Sequence, residues 1–129
     1  MATKTILIVD DQQLTIQLLE EVFADVGYRT LVARDGADAL AILATTCPDL
    51  ILTDLRMPVL DGFGLCRAVL ANLATQTIPL VLMSSVVEMN DAIDFPFAGF
   101  LLKPLVIEIV LGLVAALIGS PDLEKQVGA

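Results

Sequence analysis

The strongest constraint on this chain is a repeated alternation: short, nearly unbroken apolar runs are separated by segments with helical spacing, and the runs stop on polar residues. Thr5-Ile6-Leu7-Ile8-Val9 ends at Asp10-Asp11, and a run at about Arg29 to Ala33 leads to Asp35-Gly36. Leu50-Ile51-Leu52-Thr53 ends at Asp54, Leu80-Val81-Leu82-Met83 at Ser84-Ser85, and Phe100-Leu101-Leu102 at Lys103-Pro104. Apolar runs of this kind suit strands covered on both faces, the condition of a parallel sheet flanked by helices. The alternation predicts an α/β fold: a three-layer, doubly wound, five-stranded parallel sheet.

The intervening segments supply the helices. From about Gln13 to Asp25, Leu14, Leu18, Leu19, Val22 and Phe23 recur at helical spacing, and Gly27 is placed to end the helix. A second helix is expected from about Ala37 to Ala44, and Pro48 breaks the chain before the third strand. Met57 to Gly62 reads as a turn-rich loop, followed by a helix from about Phe63 to Asn72. Pro96 limits any helix between Val86 and Ala98, and a last helix follows Lys103-Pro104.

Composition narrows the function classes. A chain of 129 residues suits one domain, and 57% hydrophobic residues are ample for a dense core. Seven basic against sixteen acidic residues give a net charge of −9, which disfavours a nucleic-acid backbone or an anionic membrane as a direct partner. The absence of histidine excludes Ser-His-Asp and Cys-His catalysis and most zinc sites. Cys47 and Cys66 form no CxxC pair, and with no secretory signal at the N-terminus they read as two buried thiols in a reducing cytoplasm. Leu105 to Gly119 is apolar but only about fifteen residues long and interrupted by Glu108, too short to span a bilayer.

Chemistry is expected outside the carboxyl ends of the strands, where open parallel sheets bind ligands. Asp10, Asp11, Asp54, Ser84 and Lys103, far apart in sequence, all follow strands and so converge on one rim. Three carboxylates meeting there repel one another, and a hard divalent cation with oxygen ligands relieves that repulsion. Mg2+ fits, because it takes one or two carboxylates, keeps waters and leaves a position for a phosphate oxygen. Lys103 supplies a positive charge, Ser84 a hydroxyl donor, and a carboxylate can itself be the nucleophile of phosphoryl transfer. Singly, each has a plainer reading. Asp10-Asp11 can cap a helix, Ser84 can be a turn residue, Lys103 a solvated charge and Phe100 core packing; Asp61-Gly62 reads as a turn or helix cap.

In their order and spacing, Val9-Asp10-Asp11, Asp54-Leu55-Arg56-Met57-Pro58-Val59-Leu60-Asp61-Gly62, Met83-Ser84-Ser85 and Lys103-Pro104 resemble the receiver domains of bacterial response regulators, over about Thr5 to Ile118. The resemblance implies a flavodoxin-like sheet of strand order 2-1-3-4-5 and a two-component signalling role in the cytoplasm. It implies that Asp54 accepts a phosphoryl group from a sensor histidine kinase or a phosphotransfer protein. Asp10, Asp11 and Asp54 would hold Mg2+, with the backbone carbonyl of Arg56 as a further ligand. Ser84 would move to meet the phosphate, Lys103 would contact it, and Phe100 occupies the aromatic position whose rotation reports phosphorylation. The domain is assigned to residues 1–120 and a C-terminal tail to 121–129, too short to be an effector domain; either the protein acts alone or an output domain followed.

Two departures stand out. The segment between Ser84 and Phe100 is shorter than is usual in the family, so the fourth helix is expected to be short or distorted. Val106, Ile107, Ile109, Val110, Leu111, Leu113, Val114, Leu117 and Ile118 cover more than one face of the last helix, which points to a homodimer or output-protein contact. The chain is read as a switch module and not as an enzyme, with Arg56 and Val86 flanking the site and tuning phosphate lifetime. Two other classes compete: a receiver-like scaffold acting by constitutive contact, and a Mg2+-dependent hydrolase. The latter generally places its nucleophile after the first strand with a second Asp two residues on, whereas here Asp10 and Asp11 are adjacent.

Overall fold

The structure is a computed structural model that describes residues 3–120. Strands β1 (Thr5–Val9), β2 (Arg29–Ala33), β3 (Leu50–Asp54), β4 (Leu80–Ser84) and β5 (Gly99–Leu102) alternate with helices α1 (Gln13–Val26), α2 (Gly36–Leu43), α3 (Gly62–Ala71), α4 (Val86–Ala92) and α5 (Ile107–Ile118). All neighbouring strands pair in parallel, in the order β2-β1-β3-β4-β5. The expected architecture and strand order are both observed.

The two-residue period of a strand sends alternate side chains to opposite faces. Leu7, Val9, Ile51 and Leu82 therefore meet Ala39 and Leu43 of α2, Leu65, Cys66 and Val69 of α3 and Ala92 of α4. Ile6, Ile8, Leu50, Leu52, Val81 and Met83 meet Leu19 and Phe23 of α1 and Val110 and Val114 of α5. Strands β3 and β4 are buried along their whole length, which is why their sequences do not alternate with polar residues.

Of the residues at helical spacing in α1, Leu19 and Phe23 are buried together with Ile16, whereas Leu14 is 81% exposed and Leu18 lies at the surface. The expectation of two buried thiols fails for one of them: Cys66 is buried, but Cys47 is exposed, because it lies beyond the end of α2 in the connection to β3.

The helix ends follow local chemistry. Gly27 (φ 102°) closes α1 in the left-handed conformation that a side chain would strain, its N–H donating to Phe23 and Ala24 carbonyls. Asp35 caps α2 and Asp61 caps α3, each accepting a backbone N–H three residues on, at 2.7 and 2.9 Å. The fourth helix is short, as expected: seven residues, held at its start by a Ser85–Glu88 capping box. The proposed tail, 121–129, lies outside the described residues.

Candidate functional site

Strand register assembles the site. Val9 pairs with Thr53, so the next residues, Asp10 and Asp54, emerge side by side from adjacent central strands. Ser84 pairs with Leu102, so Lys103 follows directly beside it, and the Lys103 N–H donates to the Ser84 carbonyl at 2.9 Å. The polar ends of β1, β3, β4 and β5 thus meet at one rim, as the sequence pattern requires.

Asp10 is fully buried, Asp54 is 6% exposed, and Asp11 projects into solvent. One carboxylate oxygen from each of these residues lies within 4.8 Å of the others. Asp54 Oδ1 accepts from the Leu55 N–H at 2.9 Å and from Lys103 Nζ at 2.8 Å. Asp10 Oδ1 accepts from the Gln12 N–H at 2.9 Å, whereas its Oδ2 is buried with no hydrogen-bond partner among the described residues. Ser84 Oγ is buried and unpartnered in the same sense.

Buried polar atoms nearly always find partners, and these two, at one rim, suit a cation at Asp10 Oδ2 and an acceptor oxygen at Ser84 Oγ. Burial raises the Asp10 carboxyl above its ordinary range; the Gln12 N–H opposes this, the Asp54 and Asp11 charges reinforce it, and Lys103 opposes it again. A divalent cation would reverse the balance by supplying the positive charge and oxygen-seeking contacts that Asp10 Oδ2 lacks. Asp10, Asp11 and Asp54 are chemically suited to hold one.

The remaining candidates fall as follows. The Arg56 side chain turns to α4, where its Nε donates to Glu88 Oε2 at 3.0 Å. Val86 is exposed at the start of α4, and Phe100 is half-buried on β5. Asp61 serves as the cap of α3 and takes no part in the acidic cluster.

Sequence reasoning passed over Glu88 and read Gly62 only as part of a turn or helix cap. Gly62 donates its N–H to Leu55 O at 2.9 Å, and a Cβ added to it would lie 2.8 Å from the Asp54 carbonyl oxygen, so only glycine lets α3 approach the end of β3 this closely. Glu88 ties Arg56 to α4; the Ser85-x-x-Glu88 spacing of a capping box was the available signal for it.

Comparison with known proteins agrees with this geometry. The family profile described as "Response regulator receiver domain" matches residues 6–114. Response regulator PleD of Caulobacter vibrioides is 39% identical over 103 residues, which are 78% of this chain but 23% of PleD, so the chain spans about a quarter of that relative. Protein PilG of Pseudomonas aeruginosa is 32% identical over 118 residues, 89% of this chain and 87% of PilG. Among solved structures, the receiver domain of sensor histidine kinase PA1611 from P. aeruginosa superimposes with a TM-score of 0.84 at 26% identity, covering 92% of this chain and 100% of that one. That structure has a magnesium ion coordinated in its active site cleft. Among the described residues, no helix is long and apolar enough to cross a membrane.

Proposed function

This chain belongs to the response regulator receiver domain family, and from that premise we propose that it is a two-component phosphoacceptor in which Asp54 receives a phosphoryl group from a histidine kinase or a phosphotransfer protein. The observation that carries the assignment is the Asp54 carboxylate held by Lys103 and Leu55 beside two further acids. Both N–H donors fall on Oδ1, which leaves the other oxygen of Asp54 to attack phosphorus. The O–P bond forms as the P–N bond to the donor's imidazole breaks, and the imidazole leaves with the bonding pair and takes up a proton.

Lys103 can pass from Asp54 to the transferred group without leaving the rim, keeping a positive charge beside the developing one. Ser84 Oγ supplies a hydroxyl donor whose present lack of a partner is repaired by a phosphoryl oxygen. Asp10, Asp11, Asp54 and the Arg56 carbonyl would hold Mg2+, which when bound neutralises the phosphoryl oxygens. Phe100 and Ser84 are the proposed switch residues. The protein acts as a switch and not as a turnover enzyme, with its donor in the cytoplasm.

The partner surface has two parts in this reading. Thr15 and Leu18 of α1 line a groove with Lys103, Pro104 and Leu105 at the edge of the acceptor site, suited to a donor helix. Next to it, Leu102, Val106 and Ile109 are exposed around a second groove and, with exposed Ile107, fit an output protein or a second copy of the chain. A strictly monomeric mass by light scattering in both phosphorylation states would remove the second-copy version.

The direct test of the chemistry is incubation with acetyl phosphate and Mg2+, followed by intact mass spectrometry. One phosphoryl group should be gained, and none when Mg2+ is chelated or in Asp54→Asn. Undiminished labelling of Asp54→Asn would overturn the assignment.

A further inference from the structure

Four of the five phenylalanines form one connected set that leads away from the site. Phe100 on β5 meets Phe97 edge-on, with ring centroids 5.7 Å apart. Phe97 lies 6.2 Å from Phe95, and Phe95 lies 4.4 Å from Phe63 in the first turn of α3. The Arg67 guanidinium sits over the Phe95 ring at 5.2 Å, so the series ends at an exposed cation. Phe97 is buried in the core, and Phe63, Phe95 and Phe100 pack against the same core. The remaining phenylalanine, Phe23, pairs with Tyr28 on the opposite face of the sheet.

The Phe100 end of this series is tied to the acceptor. Phe100 stands three residues before Lys103, which is bonded to Asp54. Phe100 also lines a groove with Leu102, Pro104, Val106 and Ile109, so it borders open space as well as the core. The other rings are in mutual contact within a close-packed core, where one ring cannot shift without its neighbours adjusting.

Resting on the phosphoacceptor reading above, we infer that the Phe100-Phe97-Phe95-Phe63 series is a conformational relay that carries the state of Asp54 to the exposed face of α3, where Arg67 changes its seat on Phe95. The short α4 makes this route direct. The chain ends the helix at Ala92 and then places Phe95 and Phe97 between β5 and α3. The face formed by Phe63, Arg67 and Phe95 is therefore a second reporting surface, separate from the one on β5 and α5.

The protein labelled with 4-fluorophenylalanine provides the test, read by 19F NMR before and after addition of Mg2+ and beryllofluoride. The Phe100, Phe97, Phe95 and Phe63 resonances should shift together, while Phe23 stays. In Phe95→Leu, which keeps an apolar side chain in the gap, the Phe100 shift should persist and the Phe63 shift should be lost. A Phe63 resonance that never moves, or one that moves equally in Phe95→Leu, overturns the relay while leaving the acceptor assignment standing. If no resonance moves in the parent protein although its fold is intact, the acceptor reading fails as well. Arg67→Ala removes only an exposed side chain, and because coupling is reciprocal it should displace the Phe100 resonance before any addition. An unchanged Phe100 resonance in that variant also overturns the relay.

Discussion

Lys103 Nζ lies 2.8 Å from Asp54 Oδ1, joining a residue that follows the edge strand β5 to one that ends the central strand β3. The Asp54 side chain is 8% exposed and that of Lys103 30%, so the pair is partly screened by solvent. Its importance lies in charge placement more than in fold stability.

Replacing Lys103 by Met should slow phosphorylation of Asp54 by about 10²-fold, the order expected for losing one preorganised positive group at a developing charge. The melting temperature should change little. Single-turnover phosphorylation with acetyl phosphate, monitored by intact mass, checks both expectations when paired with a melting curve; an unchanged rate would remove Lys103 from the chemistry.

Asp10 makes a prediction with a definite sign. Its carboxyl is raised, by burial first and by the neighbouring acids after it, so the folded chain holds this proton more tightly than the unfolded chain does. Its favourable contribution is therefore present below the ordinary aspartate range and lost as pH rises through the raised folded value. Asp10→Asn should stabilise the metal-free protein at neutral pH, because it removes a buried charge that Asp54 and Asp11 repel, and the gain should shrink on acidification. The same variant should lose most of its Mg2+ affinity. Urea unfolding from neutral to acidic pH, with a Mg2+ titration alongside, measures both effects.

The loop after Asp54 carries stored strain. Leu60 N–H donates to Pro58 O at 2.8 Å across Val59, whose φ of 70° is unusual for a β-branched residue. Val59 is exposed, so little packing is lost on truncation. Val59→Gly should stabilise the fold by about 1 kcal/mol, relief of the strain exceeding the added freedom of the unfolded chain. Equilibrium unfolding in urea reads this directly, and a destabilised variant would show that the turn is relaxed as it stands.

The start of α4 is held by reciprocal bonds of 3.2 Å, Ser85 N–H to Glu88 Oε1 and Glu88 N–H to Ser85 Oγ. Burial alone would raise the Glu88 carboxyl, but the Ser85 N–H, the Ser85 hydroxyl and Arg56 together hold it below its usual range. This seven-residue helix is too short to persist on propensity, so Ser85→Ala should cost about 1 kcal/mol locally and speed amide exchange across Val86–Ala92. Amide exchange confined to its present rate in that variant would show that packing of Ala92, not the cap, fixes the helix.

The sheet was legible because β1, β3 and β4 are covered on both faces and therefore read as continuous apolar runs. The rim was legible because each apolar run stops at a polar side chain, Asp10, Asp54 or Ser84, that is out of place among apolar neighbours unless it has a function. What escaped was decided by tertiary contact. Leu14 and Ile16 are indistinguishable by hydropathy, and only the way α1 sits on the sheet exposes the first and buries the second. The fourth segment hid its aromatic series because Phe63 is far in sequence from Phe95, Phe97 and Phe100, and no period links them.

A structure of the protein with Mg2+ and beryllofluoride is the most direct test of Asp54 as the acceptor. Beryllium should be bonded to an Asp54 oxygen and the metal ion held by Asp10, Asp11 and the Arg56 carbonyl. Lys103 Nζ and Ser84 Oγ should then each contact a fluoride. An adduct on any other residue, or a hollow between Asp10 and Asp54 that takes neither ion, would contradict it.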